Sequence, residues 1–89
     1  MESVERSRLL EHGVAFHRKR QFAEALSSYR QVLAARPDVP EALNLAADAC
    51  FSLGDFAGAA QLLDKLAVAE PRDVRVRFNF GIALRTAGD

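Results

Sequence analysis

The stretch LNLAADACFSLGDFAGAAQLLDKL, Leu43 to Leu66, carries an apolar stripe on each side of a single break. In each half, small and apolar residues recur three and four positions apart, which is the spacing of one face of an α-helix. Between the halves stand Gly54 and Asp55. Glycine adopts the left-handed backbone that ends a helix, and an aspartate carboxylate accepts hydrogen bonds from the free amides of the next one. The stretch therefore predicts a helical hairpin.

The same arrangement recurs along the chain at a step of 34 residues. The step pairs Leu9 with Leu43, Phe22 with Phe56, Ala25 with Ala59 and Pro37 with Pro71, and it connects Gly13, Ala47 and Gly81. A period of this length is typical of a solenoid, in which each unit packs only against its neighbours. The sequence thus predicts one all-α domain over 1–89, with repeats at 6–39 and 40–73 and an incomplete third at 74–89.

Five helices are expected, at about 4–19, 22–35, 39–53, 56–69 and 73–87, because apolar residues recur at helical spacing within each of these segments. Ahead of the third helix, Asp38 followed by Glu41 indicates a variant of the capping box. Pro40 falls in the first turn of that helix, where a missing N–H costs nothing.

The residues at the repeating positions resemble the tetratricopeptide repeat family, whose units are helical hairpins of this length. The first unit reads Leu9, His12, Gly13, Phe16, Ala25, Tyr29 and Pro37, the second Leu43, Ala46, Ala47, Cys50, Ala59, Leu63 and Pro71, and the third begins Arg77, Phe80, Gly81 and Leu84. Two positions depart from the family pattern: His12 occupies a usually apolar slot, and Arg77 stands where a large hydrophobic residue is common. The resemblance implies a right-handed superhelix of two and a half repeats that acts as a scaffold for protein–protein interactions.

The charge balance of the chain argues against two classes of partner. Lys plus Arg and Asp plus Glu each number 12, so the formal net charge is zero. Nucleic acids and anionic membrane surfaces attract proteins with an excess of positive charge, and we expect neither as a partner. The single cysteine, Cys50, cannot form an internal disulfide. With no signal-peptide pattern and no apolar run of the roughly 18 residues that a membrane span needs, a cytoplasmic protein is expected.

The sequence offers no constellation typical of catalysis. Its two histidines, His12 and His17, are five positions apart, which on a helix points them about 140° apart, away from the geometry of a shared metal ion. We expect His12 to be packed and His17 to be solvated. Ser27 and Ser28 have no predictable base nearby, and Cys50 has no identifiable cationic neighbour that would lower its pKa. The prediction is a non-catalytic chain without cofactor or metal.

The resemblance also implies where a partner would bind. In the family, the first helix of each repeat lines the inner wall of the solenoid, which commonly receives an extended peptide. Carried over by position, this wall, which we call the groove, comprises Leu10, Val14, His17, Asn44, Asp48, Phe51, Arg75, Phe78, Asn79 and Ile82. The alternative is that the apolar members pack against neighbouring helices. The chaperone-tail clamp of some family members is not favoured, because its lysine and first asparagine slots hold Leu10 and Val14.

The end of the chain raises a separate question, because Asp89 would cap a sixth helix that the sequence does not contain. The outer stripe of the fifth helix is expected to hold Phe80, Ala83, Leu84 and Ala87. A terminal solenoid helix is normally polar on its outer side. The stripe therefore indicates either self-association, as in a homodimer or a purely structural oligomerisation module, or continuation into a longer protein, such as a bacterial glycosyltransferase or methyltransferase.

Overall fold

The computed structural model describes residues 2–88 and consists, over that range, of helices joined by short turns. The five helices are α1 (Glu2–Arg18), α2 (Phe22–Ala35), α3 (Pro40–Leu53), α4 (Phe56–Ala69) and α5 (Val74–Gly88). The all-α fold is thereby confirmed, and the helix bounds differ from the expected ones by at most two residues. Asp89, which was expected to cap a sixth helix, lies outside the described residues.

The helices stack in chain order. The most extensive packing joins helices that follow one another in the chain, α1 on α2, α2 on α3, α3 on α4, and α4 on α5, as in a solenoid. The result is an elongated body of 39 × 27 × 18 Å. α1, α3 and α5 line the groove, and residues of α2 and α4 line a cleft of their own on what we call the outer face.

Alanine makes the close helix packing possible. Ala25, Ala42, Ala46, Ala49, Ala59 and Ala83 are all fully buried. Side chains this small let adjacent helices approach closely. Larger residues then fill the space between the alanines, and Leu43, Leu63 and Tyr29 are each at most 1% exposed. Burying a leucine side chain contributes about 1.5 to 3 kcal/mol, so these residues dominate the stability of the core.

The turn between α3 and α4 forms as its sequence predicts. Gly54 has the left-handed φ of 77°, and the Asp55 carboxylate accepts a hydrogen bond of 2.9 Å from the Gly58 amide. The turn between α1 and α2 has the same shape with different residues, since Arg20, one repeat before Gly54, has a φ of 61°. Gln21, one repeat before Asp55, makes no side-chain cap. The first turn is therefore the more strained and less well capped of the two.

The expected capping box ahead of α3 is wrong. The N-cap is Val39, and no side chain bonds to the free amides there. Pro40 is the reason: a proline forces the residue before it into extended backbone, which makes Val39 the capping residue and leaves Asp38 one position too early. Pro40 itself lies at the start of the helix, as expected.

In the first hairpin, a glycine of α1 packs against an aromatic ring of α2. Gly13 of α1 is buried, and a Cβ added to it would overlap Cε1 of Tyr29 on α2. At Gly81, which occupies the same repeat position in α5, an added Cβ would meet nothing within 4 Å. The face of α1 that carries Gly13 therefore has a partner helix, α2, whereas no described helix packs at Gly81 on α5.

Candidate functional site

The groove contains two clefts that meet at Glu41. The first cleft, of about 430 Å³, lies between α1 and α3 and is lined by Ser7, Leu10, Glu11, Val14, Ala15, Arg18 and Glu41. The second, of about 370 Å³, lies between α3 and α5 and is lined by Pro40, Glu41, Asn44, Asp48, Leu66, Glu70, Asp73, Arg75, Val76 and Asn79. Because Glu41 borders both, the two clefts form one continuous surface across α3.

Four of the five polar residues predicted for the groove, all except His17, line the second cleft. Asn44 and Asp48 lie one helical turn apart on α3, facing Arg75 and Asn79, which are likewise one turn apart on α5. The Arg75 guanidinium lies 3.6 Å from the Asp73 carboxylate, and the Arg75 backbone amide donates to that carboxylate at 3.0 Å. The cleft therefore presents two primary amides, which both donate and accept hydrogen bonds, beside several carboxylates.

His17, Tyr29 and Asp48 form a cluster at the side of the groove. His17 Nδ1 lies 3.3 Å from the Tyr29 hydroxyl, and the His17 ring packs edge-on against Phe22 at 5.1 Å. Burial raises the pKa of the Tyr29 hydroxyl, and the neighbouring Asp48 carboxylate raises it further. Partial burial also raises the pKa of Asp48, while nearby His17 acts in the opposite direction.

The expected roles of the two histidines are reversed. His17 is half-buried and bonded, whereas His12 is exposed. The physical reason is that α2 packs on the side of α1 that carries His17, close to Phe22 and Tyr29. His12 points elsewhere, because five helical positions separate the two residues by about 140°.

The predicted apolar members of the groove do not all face it. Leu10 is only 8% exposed and belongs to the core, Phe51 is half-buried with its ring 5.9 Å from that of Phe56, and Val14 is half-buried. Leu10 still lines the first cleft with its small exposed part, whereas Phe51 packs against the core and lines neither cleft. Phe78 and Ile82, at 69% and 37% exposed, remain open to a partner.

The predicted stripe on α5 is only partly available. Ala83 is fully buried and Phe80 packs half-buried against the core, so neither is free for self-association. They lie on the side of α5 that also carries the buried Val76 and rests on α4. Leu84, at 53% exposed, and Ala87 remain open.

The sequence did not indicate the positions of Glu70 and Asp73 in the groove, or of Arg30 near the buried Cys50. Glu70 and Asp73 reach the second cleft from the turn after α4, and only their position just ahead of α5 could have indicated this. Arg30 is the cationic neighbour of Cys50 that was not expected. Burial nevertheless dominates and raises the pKa of the Cys50 thiol, Asp55 adds to the rise and Arg30 opposes it. Cys50 is thus a buried thiol held in its protonated form.

The potential nucleophiles and ligands are otherwise scattered. Ser28 is buried and Ser27 is exposed on α2. Within residues 2–88, no three His, Cys, Asp or Glu side chains come together as a metal site would require. Over the same range, no helix is both long enough and apolar enough to span a membrane.

The comparisons with known proteins agree with the helical-repeat fold. The sequence pattern of the tetratricopeptide repeat family matches residues 10–74 and again residues 52–89. Among 18 similar chains of solved structure is the crystal structure of the Sgt2 TPR domain from Aspergillus fumigatus, with a TM-score of 0.83 and 25% sequence identity. The match covers 96% of this chain but 56% of that one, so this chain spans somewhat over half the length of the Sgt2 domain. No curated protein is significantly similar in sequence.

Proposed function

Because the chain belongs to the tetratricopeptide repeat family, which consists of protein-interaction scaffolds, we propose that its groove binds an extended segment of a partner protein. The observation that carries this proposal is the continuous surface of the two clefts that meet at Glu41. We further propose that the chain is non-catalytic, needs no cofactor, and works in the cytoplasm, where a free buried thiol such as Cys50 persists.

The chemistry of the groove suits a peptide backbone. Asn44 and Asn79 each offer a donor and an acceptor, which is what an extended backbone requires, whatever its side chains. Phe78 stands beside Asn79 on α5 and is largely exposed, so it can cover an apolar side chain of the partner. With a body 27 Å across and 39 Å long, the groove can accommodate about 9 extended residues at roughly 3.3 Å each.

The test is to select binders from a displayed library of random peptides and to measure the affinity of the best by fluorescence anisotropy. Asn79→Ala and Phe78→Ala should each weaken binding about 3-fold to 10-fold and leave the melting temperature unchanged, because Asn79 lines the second cleft and Phe78 is largely exposed outside the core. Gln61→Ala and Val68→Ala are matched controls on α4 and should change neither quantity. If affinity and melting temperature fell together, the residues would be packing elements. If no peptide were selected, the groove proposal would fail.

We propose a second role for α5, in which Leu84 and Ala87 support self-association or receive a further helix of a longer protein. The open position at Gly81 supports this role, because the equivalent Gly13 is covered by Tyr29 of the following helix. A purely structural oligomerisation module, with an idle groove, would use the same surface. Continuation into an enzyme of the glycosyltransferase or methyltransferase type would use it as well.

Light scattering over a range of protein concentrations separates these uses. Self-association predicts a mass that rises with concentration and returns to that of one chain in Leu84→Glu, while Val68→Glu, on another exposed position, keeps the higher mass. A mass of one chain at every concentration would exclude self-association. That result would leave the face for a following helix.

A further inference from the structure

The groove is acidic although the chain as a whole is neutral. Five carboxylates line the two clefts, those of Glu11, Glu41, Asp48, Glu70 and Asp73, against the two guanidinium groups of Arg18 and Arg75. The whole sequence has equal numbers of acidic and basic residues. Negative charge is therefore concentrated where a partner would bind, and such a field attracts positively charged ligands.

Most of this charge is unpaired. Arg75 is committed to Asp73 by an ion pair and a backbone hydrogen bond. Glu41, Asp48 and Glu70 line the same cleft, and none of the three has an ion-pair partner within residues 4–88. Like charges that share a cleft repel one another, so a cation bound between them would relieve the repulsion.

Asp48 is a carboxylate of the second cleft whose hydration is reduced by partial burial. Its carboxylate loses part of its hydration in the cleft, and the pKa of the group is raised in consequence. The neighbouring groups are His17 and Tyr29, and His17 only partly offsets the effect. A ligand that brings its own positive charge would replace the lost hydration.

Apolar surface adjoins the acidic cleft. Phe78 lies three residues after Arg75, and Ile82 lies three residues after Asn79, so both project next to the cleft-lining residues of α5. Phe78 and Ile82 are both exposed. A partner side chain that packs on Phe78 and Ile82 would therefore lie next to a second partner side chain bound in the acidic cleft.

We propose that the groove selects a basic peptide segment, with a lysine or arginine held between Glu41, Asp48 and Glu70 and an apolar residue on Phe78 and Ile82. This inference rests on the proposed function and specifies the chemistry of its partner. An acidic segment would meet unpaired carboxylates along the same path and would be rejected.

The experiment uses three synthetic peptides of about 9 residues, the length that spans about 30 Å in extended form. They share one central leucine and differ only in whether the flanking residues are lysine, glutamine or glutamate. Fluorescence anisotropy with the whole chain should rank the affinities lysine above glutamine above glutamate. Raising the salt concentration from about 50 mM to about 500 mM should weaken the lysine peptide most, because screening shortens the reach of the field.

Asp48→Asn should weaken the lysine peptide about 3-fold to 10-fold and leave the glutamine peptide unchanged. Asp64→Asn, which removes a carboxylate from the outer face, is the matched control and should affect no peptide. Equal affinity for the lysine and glutamine peptides, or tighter binding of the glutamate peptide, would overturn the charge selectivity while leaving groove binding intact. If none of the three bound, both the selectivity and the proposed function would be rejected.

Discussion

Gly13 and Gly81 occupy the same position of the repeat and have opposite surroundings. Gly13 lies buried under the ring of Tyr29, whereas space is open around Gly81. The difference comes from packing: α1 is covered by α2, and no described helix covers that side of α5. In a solenoid, the role of a repeated residue depends on which neighbours its unit has.

The largest expected effect on stability comes from replacing these two glycines by alanine. Gly13→Ala should lower the free energy of unfolding by about 1 to 3 kcal/mol, because the added methyl group overlaps the Tyr29 ring in a close-packed core. Gly81→Ala should raise it by up to about 1 kcal/mol, since alanine favours the helix and meets no atom there.

Urea unfolding followed by circular dichroism measures both changes. The two substitutions are chemically identical, so each is the control for the other. Effects of the same sign would show that the two glycines have equivalent surroundings, contrary to the structure.

A smaller effect sharpens the comparison at the hairpin turns, where Arg20 and Gly54 both have left-handed backbone. Gly54→Ala should lower the free energy of unfolding by about 1 kcal/mol, because only glycine adopts this conformation without strain. Arg20→Gly should raise it by about 0.5 kcal/mol, since relief of strain outweighs the loss of the contact between the Arg20 guanidinium and the Phe22 ring, 5.7 Å apart.

Thermal unfolding of the two variants provides the measurement. Lys19→Gly, in the same turn, is the control for the general effect of a new glycine and should destabilise, because glycine gives the unfolded chain more conformational freedom. If Arg20→Gly destabilised as much as Lys19→Gly, the first turn would not be strained.

The smallest effect concerns pH and separates stability from binding. The folded chain raises the pKa of Asp48 above its ordinary value of 3.8, so between that value and the raised one the folded state binds more protons than the unfolded state. Stability contributed by this group therefore falls as pH rises through that window. Asp48→Asn should flatten this part of the pH profile and leave the protein slightly more stable at neutral pH, although it weakens a basic ligand.

Melting temperatures between about pH 4 and pH 7 test this sign. Asp64→Asn should leave the profile unchanged. A variant at Asp48 that is less stable at neutral pH would show that the carboxylate makes a stabilising contact that the structure does not contain.

The contrast between local sequence and packing also explains how much of the fold could be predicted from the sequence. The helices, the hairpin turn at Gly54 and the repeat followed from spacing, because local backbone preferences determine them. The exposure of individual side chains could not be predicted in this way. Leu10 and Phe78 hold the same repeat position, yet Leu10 is 8% and Phe78 69% exposed, since α3 lies beside α1 and no described helix takes that place beside α5.

The candidate site shows the same limit. Asn44, Asp48, Arg75 and Asn79 line one cleft, and the repeat in the sequence places them on adjacent groove helices. The sequence could not place Glu70, which reaches the cleft from the end of α4, or His17, whose environment depends on the packing of α2 against α1. Contacts between elements, rather than patterns within them, determine these positions.

We propose that the groove, and not the outer face, is the binding surface of this protein. The most direct test of this proposal is a nuclear magnetic resonance titration of the labelled chain with the lysine peptide. Changes in backbone amide chemical shift should concentrate at Asn44, Asp48 and Asn79 and should be absent at Gln61 and Asp64. Shifts centred on Gln61 and Asp64, or none at saturating peptide, would contradict it.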